Sequence, residues 1–235
     1  MSGFDKIIGC NDIKEALSMY ADVLKNPNKY KKYGLYLPGW VLISGDHCSG
    51  KTMLAEQFIL QAGLKSYTVR EDLTDEDSIS YITNSFIEAE CTGSAIVFID
   101  DVDQLKDDAG RKNSAMVYNC LQSCIDDYCK DGVFTIVTAR SVDKLPASLL
   151  NAGKVCRKFN IHYSEDEKKE ILKSILKDNP VSEDIEISAL SSVMPGYSFN
   201  DYKKVINEAG IKAVFDGRNK ICNDDIIKAV SLLIH

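Results

Sequence analysis

An eight-residue stretch in the first quarter of the sequence restricts the chain to a small number of folds. Gly45-Asp-His-Cys-Ser-Gly-Lys-Thr52 fits the pattern G-x-x-x-x-G-K-[ST] in full. It follows a short apolar run, Trp40–Ile43, and a helical pattern continues after it to about Gly63. A strand, a glycine-rich loop and a helix in this order form the context in which the pattern binds phosphate groups. We therefore predict that the phosphates of ATP bind at this loop.

The parts of the stretch have different expected roles at a phosphate group. The main-chain N–H groups of residues 45–50 point at phosphate oxygens, and the positive N-terminus of the following helix adds to the attraction. Lys51 reaches the β- and γ-phosphates, and the Thr52 hydroxyl is a ligand of magnesium. The predicted nucleotide-binding residues of this segment are Gly45, Asp46, His47, Cys48, Ser49, Gly50, Lys51, Thr52 and Met53.

A second candidate feature is a buried strand that ends in two acids. Ile96–Ile99 is apolar throughout and is followed at once by Asp100 and Asp101. In open α/β sheets, ligands bind outside the carboxyl ends of the strands, so Asp100 emerges where the phosphate loop also lies. We predict that Asp100 supports the magnesium ion together with Thr52.

The pattern of strands and helices predicts an α/β core followed by a small helical domain. The strands are expected at Trp40–Ile43, Ser66–Val69, Ala95–Ile99, Val133–Thr138 and Val155–Ile161, with helices at about 76–90, 112–129 and 146–151. This alternation indicates a parallel sheet covered on both faces. Beyond Ile161 only helical patterns follow, and Ser164 with Glu167 forms a capping box. We expect domains at 1–161 and 162–235.

Other helix starts and the cysteines are assigned from local pattern. Asn11, Ser198 and Asn223 are predicted as helix caps. The eight cysteines are interpreted as reduced, mostly buried thiols rather than a disulfide framework or a zinc site, because no C-x-x-C pair is present.

Composition excludes several classes of function. The net charge of −7 argues against a nucleic-acid-binding surface as the main function. No apolar run approaches the roughly 20 residues that span a bilayer, and the N-terminus lacks the apolar core of a signal peptide. We therefore expect a cytoplasmic chain without a membrane segment and without a nucleic-acid partner.

Several further stretches resemble the AAA family of ATPases, most closely its FtsH-type proteolytic branch. They are Leu24–Gly34 with Pro38-Gly39, Phe134–Arg140 continuing through Leu145–Leu150 and Gly153, Pro195–Ser198 with Asp201, and Val205–Ala209. The resemblance extends from about Phe4 to the end of the chain. It implies a P-loop αβα sandwich with a five-stranded parallel sheet, a C-terminal helical lid, and ATP or ADP with Mg²⁺ bound between them. It also implies assembly as a ring, homomeric or mixed, that remodels a protein partner or substrate.

The resemblance adds site residues that local patterns do not provide. Ile7, Ile8 and Gly9 match the segment that lines the adenine pocket in the family. Asn200, with Phe199, stands where a small Gly-Ala pair approaches the nucleotide. Asp101 stands where the family has the glutamate that positions the attacking water, so Asp101 and Lys51 are the predicted catalytic residues.

The departures from the family pattern concentrate on hydrolysis. Asp101 is one methylene shorter than glutamate, and Ala139 replaces the sensor asparagine. The two arginine-finger positions hold Asn151 and Lys154, neither of which offers the guanidinium fork. The aromatic-hydrophobic-glycine tripeptide of the substrate-pulling loop is missing from residues 69–86, and Ile175 replaces a histidine of the lid.

Two functions of different kinds fit these residues. The first is a slow ATPase that couples nucleotide state to protein remodelling or assembly. The alternative is a nucleotide-binding pseudo-ATPase that acts as a regulatory or scaffold module. A P-loop kinase for a small molecule is disfavoured by the resemblance of Phe134–Arg140 and of the lid segment to the AAA pattern.

Overall fold

The computed structural model describes most of the chain. The described residues are 3–34, 37, 39–70, 78–105, 109–110, 112, 114–129, 132–151, 156–183, 185–187, 190, 194 and 198–233. In this part of the chain no helix combines the length and the apolar character needed to cross a membrane.

Five parallel strands form one sheet. They are β1 (Trp40–Ser44), β2 (Lys65–Val69), β3 (Ala95–Ile99), β4 (Val133–Ala139) and β5 (Cys156–Asn160), in the spatial order β2-β3-β4-β1-β5. Every residue of β1, β3 and β4 is buried, which explains why these strands are mostly apolar rather than alternating between apolar and polar residues. The predicted five-stranded parallel sheet is confirmed, and each strand lies within one residue of its expected bounds at either end.

Helices cover the sheet. They are α1 (Asn11–Lys25), α2 (Pro27–Lys31), α3 (Lys51–Ala62), α4 (Ser78–Thr92), α5 (Ala115–Tyr128) and α6 (Ala147–Leu150), with 3₁₀ turns at Gly3–Lys6, Val102–Gln104 and Val142–Lys144. The helix α2 was not expected: Pro27 ends α1 and then occupies the first turn of a new helix, where its missing N–H costs nothing. Gly63 ends α3 in a left-handed conformation, as predicted.

A cluster of buried apolar residues fills the space between the sheet and the helices α4 and α5. Trp40, which is fully buried, lies in it with side chains of β3 and β4 and with Phe86 of α4. The helix α4 packs on β2, β3 and α5, whereas α1 packs on α3. Burial of this cluster is the main favourable contribution to the stability of this part of the chain.

The chain divides into two compact units. The first contains Met1–Asp46 and Gly50–Ile161, and the second contains His47–Ser49 and His162–His235. The second unit contains α7 (Glu165–Lys177), α8 (Phe199–Phe215) and α9 (Asn223–Leu233). The helix α8 packs on both α7 and α9, and a single bridge joins Val181 to Ile221.

The helix caps predicted from the sequence are confirmed at two helices and wrong by one residue at two others. Ser164 with Glu167 forms a reciprocal capping box, and Ser198, predicted as a cap, forms one with Asp201. The predictions for Asn11 and Asn223 were each wrong by one residue, because both are the first residue inside their helix. A cysteine precedes the helix in each case, and Asp225 accepts the N–H of Cys222 at the start of α9. A carboxylate three residues into the helix therefore satisfies the cap without an asparagine.

Asp225 forms an ion pair with Arg218 in the second unit, and its replacement should lower the free energy of unfolding. The buried carboxylate accepts two hydrogen bonds from Arg218, at 2.5 and 2.7 Å. We expect Asp225→Asn to lower the free energy of unfolding by about 2 kcal/mol, since a bidentate charged pair is broken. Denaturant unfolding followed by circular dichroism measures this.

The same pair predicts the pH dependence of the loss. Arg218, followed by smaller contributions from Cys222, holds the pKa of Asp225 below its ordinary value of 3.8. The charged form is favoured in the folded state, so the stabilisation is present above pH 3.8 and disappears as the pH falls further. Asp216→Asn is the matched control, because Asp216 pairs with the same Arg218 at the exposed surface, where water screens the attraction and little stabilisation is expected. Equal stability of the two variants would contradict this role of Asp225.

Candidate nucleotide-binding site

The predicted phosphate loop leaves the carboxyl end of β1 and enters α3. Gly45 N–H donates to the Ala139 carbonyl at the end of β4, and Gly50 caps α3 with φ 91°. Cys48 also has a left-handed backbone, with φ 60°. Because a non-glycine residue in that region costs about 1 kcal/mol, the turn at Cys48 is held by its surroundings rather than by local preference.

Lys51, the first residue of α3, is turned back over this loop. Its side chain is only 4 % exposed, and Nζ donates to the carbonyl oxygens of Gly45 and Asp46, both at 3.0 Å. Nζ also lies 3.5 Å from Asp101 Oδ1. The ammonium group is therefore surrounded by oxygens, the environment that a phosphate group would also supply.

Thr52 and Asp100, the expected magnesium ligands, lie side by side. The Thr52 hydroxyl is 2.9 and 3.0 Å from the two carboxylate oxygens of Asp100. Thr138 Oγ1 donates to Asp100 Oδ1 at 2.6 Å. The loop after β1 and the end of β3 thus meet at one edge of the sheet, although β4 lies between their strands.

The environment of Asp100 suits a hard divalent cation. Burial raises the pKa of this carboxyl above its ordinary value, and hydrogen bonds from Thr138 and Thr52 oppose the rise. A carboxylate that has lost part of its hydration gains most from a nearby positive ion. Carboxylate and hydroxyl oxygens are also the ligands that Mg²⁺ prefers, so the residues present fit this metal.

Asp101 has an unusual backbone and competing charged neighbours. Its φ and ψ are 42° and 58°, in the left-handed region. Arg140 Nε lies 3.5 Å from Oδ2, while Oδ1 is buried and accepts no hydrogen bond from the described residues. A carboxylate oxygen with a spare lone pair at this position can accept a proton or a hydrogen bond from water.

Three residues of this edge were missed as site residues by sequence reasoning. Thr138 contacts both acids, since its hydroxyl also accepts the Asp101 N–H at 2.7 Å. Arg140 meets Asp101, and the fully buried Asp103 accepts the Arg140 N–H at 3.2 Å. All three follow from the adjacency of β3 and β4, which the linear sequence does not state.

The other predicted nucleotide-binding residues of the first unit lie at its helix starts. Ile7 and Gly9 are buried and Ile8 is half-buried, between the turn Gly3–Lys6 and α1. Lys14 Nζ donates to the Ile7 carbonyl at 2.9 Å. No hydrogen bond joins these three residues to the phosphate loop within the described part of the chain. Met53 is 43 % exposed in the first turn of α3.

The tip of the loop, His47–Ser49, groups with the second unit. The Tyr163 hydroxyl donates to the Ser49 carbonyl at 2.9 Å, and Asn200 Nδ2 lies 3.3 Å from Cys48 Sγ. Asn200 therefore lies beside Cys48 within the second unit, and its contact with a nucleotide stays a prediction. Ser49 Oγ is buried and has no hydrogen-bond partner among the described residues, so a polar atom remains available to a ligand.

The residues that depart from the hydrolytic pattern differ in their surroundings. Ala139 is fully buried at the end of β4, and Asn151 is exposed just after α6. Ile175 is buried in α7. Lys154, Gly153 and part of the segment where the tripeptide is missing (71–77) lie outside the described residues.

Comparisons with known proteins agree with this geometry. The model of a family described as "ATPase family associated with various cellular activities (AAA)" matches residues 41–163. The chain is 29% identical, over 98% of its length and 36% of the relative's, to the ATP-dependent zinc metalloprotease FtsH of Aster yellows witches'-broom phytoplasma. It is 29% identical to FtsH of Mycoplasma pneumoniae and 28% identical to FtsH 2 of Salinibacter ruber, covering 34% and 35% of them. The chain thus spans about a third of the length of these relatives.

Proposed function

Because this chain belongs to the AAA family of ATPases, we propose that it binds ATP with Mg²⁺ and hydrolyses it slowly to act on another protein. The observation that carries the proposal is the meeting of Lys51, Thr52, Asp100 and Asp101 at one edge of the sheet. Magnesium would neutralise charge on the β- and γ-phosphates when it is bound.

Each residue has a distinct part in binding. Main-chain N–H groups of residues 45–50 hold the phosphates, and Lys51 exchanges its loop carbonyls for phosphate oxygens. Thr52 and Asp100 hold the metal. Ile7, Ile8 and Gly9 line the adenine side, and Met53 and Asn200 complete the contacts with the nucleotide.

Asp101 is the residue on which hydrolysis depends. Its Oδ1, which accepts no hydrogen bond from the described residues and lies 3.5 Å from Lys51 Nζ, would orient the attacking water and accept its proton. The side chain is one methylene shorter than glutamate, and it is attracted by both Lys51 and Arg140. Since catalysis is sensitive to displacements of about 1 Å, a rate about 10²-fold below that of an unimpaired site is expected.

A second function, a pseudo-ATPase that binds nucleotide without turnover, is favoured by a different observation. The sensor position is a fully buried alanine, Ala139, and Asn151 at a finger position has no positive charge. Loss of an arginine finger alone removes about 10³–10⁵ in rate. In that case, bound ATP would regulate assembly rather than drive it.

The wider setting of the site forms part of the proposal. Residues 1–161 serve as the nucleotide-binding core and 162–235 as the helical lid, in a cytoplasmic protein. The partners are a protein substrate and further subunits of a homomeric or mixed ring. This is supported by the similarity over nearly the whole chain to the ATP-dependent metalloproteases named above.

Calorimetry and phosphate release test the proposal together. Purified protein is titrated with ATP and with ADP in the presence of Mg²⁺, and phosphate release is followed at several protein concentrations. Saturable binding with slow turnover supports the ATPase, whereas binding without turnover at any concentration supports the pseudo-ATPase. Absence of both ATP and ADP binding would refute the two functions.

The metal site gives a specific expectation. Asp100→Ala should lower the gain in ATP affinity that Mg²⁺ provides, measured against EDTA, by about 10-fold or more, because the metal loses its carboxylate. Affinity in EDTA should change little. Asp143→Ala is the control, since this exposed carboxylate lies in the turn after β4. An intact magnesium effect in Asp100→Ala would show that another residue supports the metal.

A further inference from the structure

Thr138 occupies the one position of β4 where a single hydroxyl meets both acids. The register of β3 and β4 pairs Ile99 with Val137, so Asp100 and Thr138 follow side by side at the ends of their strands. Thr138 is fully buried. Its Oγ1 is 2.6 Å from Asp100 Oδ1 and 2.7 Å from the Asp101 nitrogen.

The chemistry of the three groups fixes the direction of both hydrogen bonds. A backbone N–H can only donate, so Thr138 Oγ1 accepts from Asp101. The ionised carboxylate of Asp100 can only accept, so the one hydroxyl proton of Thr138 goes to Asp100. The hydroxyl therefore has no free rotation, and the β-branched side chain has few rotamers in which to satisfy both partners.

The two contacts have different consequences. The bond from the Asp101 N–H helps to hold this residue in its left-handed backbone, which non-glycine residues adopt only where neighbours maintain it. The bond to Asp100 Oδ1 orients the carboxylate that faces Thr52. A residue outside the set of metal ligands can tune a metal site through such a bond.

We propose that Thr138 is a positioning residue whose hydroxyl orients Asp100 for the magnesium ion and Asp101 for the attacking water. The inference rests on the proposed function, since it concerns the same nucleotide site. It extends that function because one side chain of the neighbouring strand β4 would hold both Asp100 and Asp101 in position.

A comparison of three variants tests the role of Thr138. Thr138→Val keeps the shape of the side chain but can neither accept from Asp101 nor donate to Asp100. Thr138→Ser retains the hydroxyl. Thr135→Val is the matched control, because Thr135 is equally buried in β4 but its hydroxyl meets Cys129 Sγ at 3.1 Å, away from the acids.

The measured quantity is the ratio of ATP affinity in Mg²⁺ to that in EDTA, by calorimetry. We expect Thr138→Val to lower this ratio by about 10-fold, within the range found for residues that orient metal ligands. Thr138→Ser should restore most of it, and Thr135→Val should leave it unchanged. If the wild-type protein hydrolyses ATP, phosphate release should fall in Thr138→Val, recover in Thr138→Ser and stay unchanged in Thr135→Val.

The outcomes separate this inference from the proposed function. A wild-type ratio in Thr138→Val, with the protein folded by circular dichroism, overturns the role of Thr138 and leaves nucleotide binding intact. An equal loss in Thr135→Val would show that any buried threonine of β4 has the same effect, and this also overturns it. Failure of the wild-type protein to bind ATP at all would refute the proposed function and the inference with it.

Discussion

Replacing Lys51 with methionine is expected to weaken binding of ATP with Mg²⁺ by about 10- to 100-fold. The variant keeps the apolar stem that is buried in the first turn of α3 and loses the ammonium group. Hydrogen bonds to charged groups contribute about 1.5–3 kcal/mol each, and 1.4 kcal/mol corresponds to a factor of ten in affinity. Part of the loss is offset, because the wild-type ammonium group must first leave the carbonyls of Gly45 and Asp46. Calorimetry with ATP measures the change.

The control for this variant is Lys65→Met. Lys65 begins β2 at the amino edge of the sheet and is exposed, so its loss should leave ATP affinity unchanged. Circular dichroism of the Lys51 variant shows whether the fold survives loss of the ion pair with Asp101. Wild-type affinity in a folded Lys51→Met protein would contradict the assignment of residues 45–52 as the phosphate loop.

Asp101→Asn is expected to reduce phosphate release by about 100-fold or more, while ATP affinity is kept or increased. The amide cannot accept a proton from water, which accounts for the loss of turnover. Neutralising Asp101 also removes a negative group 3.5 Å from Lys51 Nζ and 3.5 Å from Arg140 Nε. Both cations then become more available to the nucleotide, so binding should not suffer.

The opposite directions of the two effects make the Asp101 experiment specific. A misfolded protein would lose binding and turnover together, whereas this variant should lose turnover alone. Asp143→Asn, an exposed acid of the same edge, should change neither quantity. If Asp101→Asn retains the wild-type rate, the observed phosphate release comes from another base or from a contaminating enzyme.

The sheet could be predicted because the sequences of its strands fit few other kinds of secondary structure. Strands such as Ala95–Ile99 are buried on both faces, so their apolar runs are continuous and their bounds are clear. The phosphate loop was predicted from the fixed spacing of its glycines, lysine and threonine, and its binding of a nucleotide stays a prediction. Membership of the AAA family, which several stretches of sequence indicated, is confirmed by the match over residues 41–163.

The contacts around the two acids could not be predicted in the same way. Thr138 and Arg140 reach Asp100 and Asp101 only because β4 lies beside β3, and the linear sequence does not give the strand order. The helix starts at Asn11 and Asn223 were missed by one residue because local propensity favours asparagine as a cap. In the structure a cysteine takes that place at both helices.

The position of Trp40 decides what an optical experiment on this chain can report. It is the single tryptophan of the sequence, and it lies at the start of β1 with no exposed surface. Its emission should therefore be that of an indole shielded from water, and should shift to longer wavelength only when the sheet comes apart. The helices α7 to α9 contribute no indole signal, so fluorescence follows the unit that carries Lys51 and Asp100, while circular dichroism follows the helices of both units.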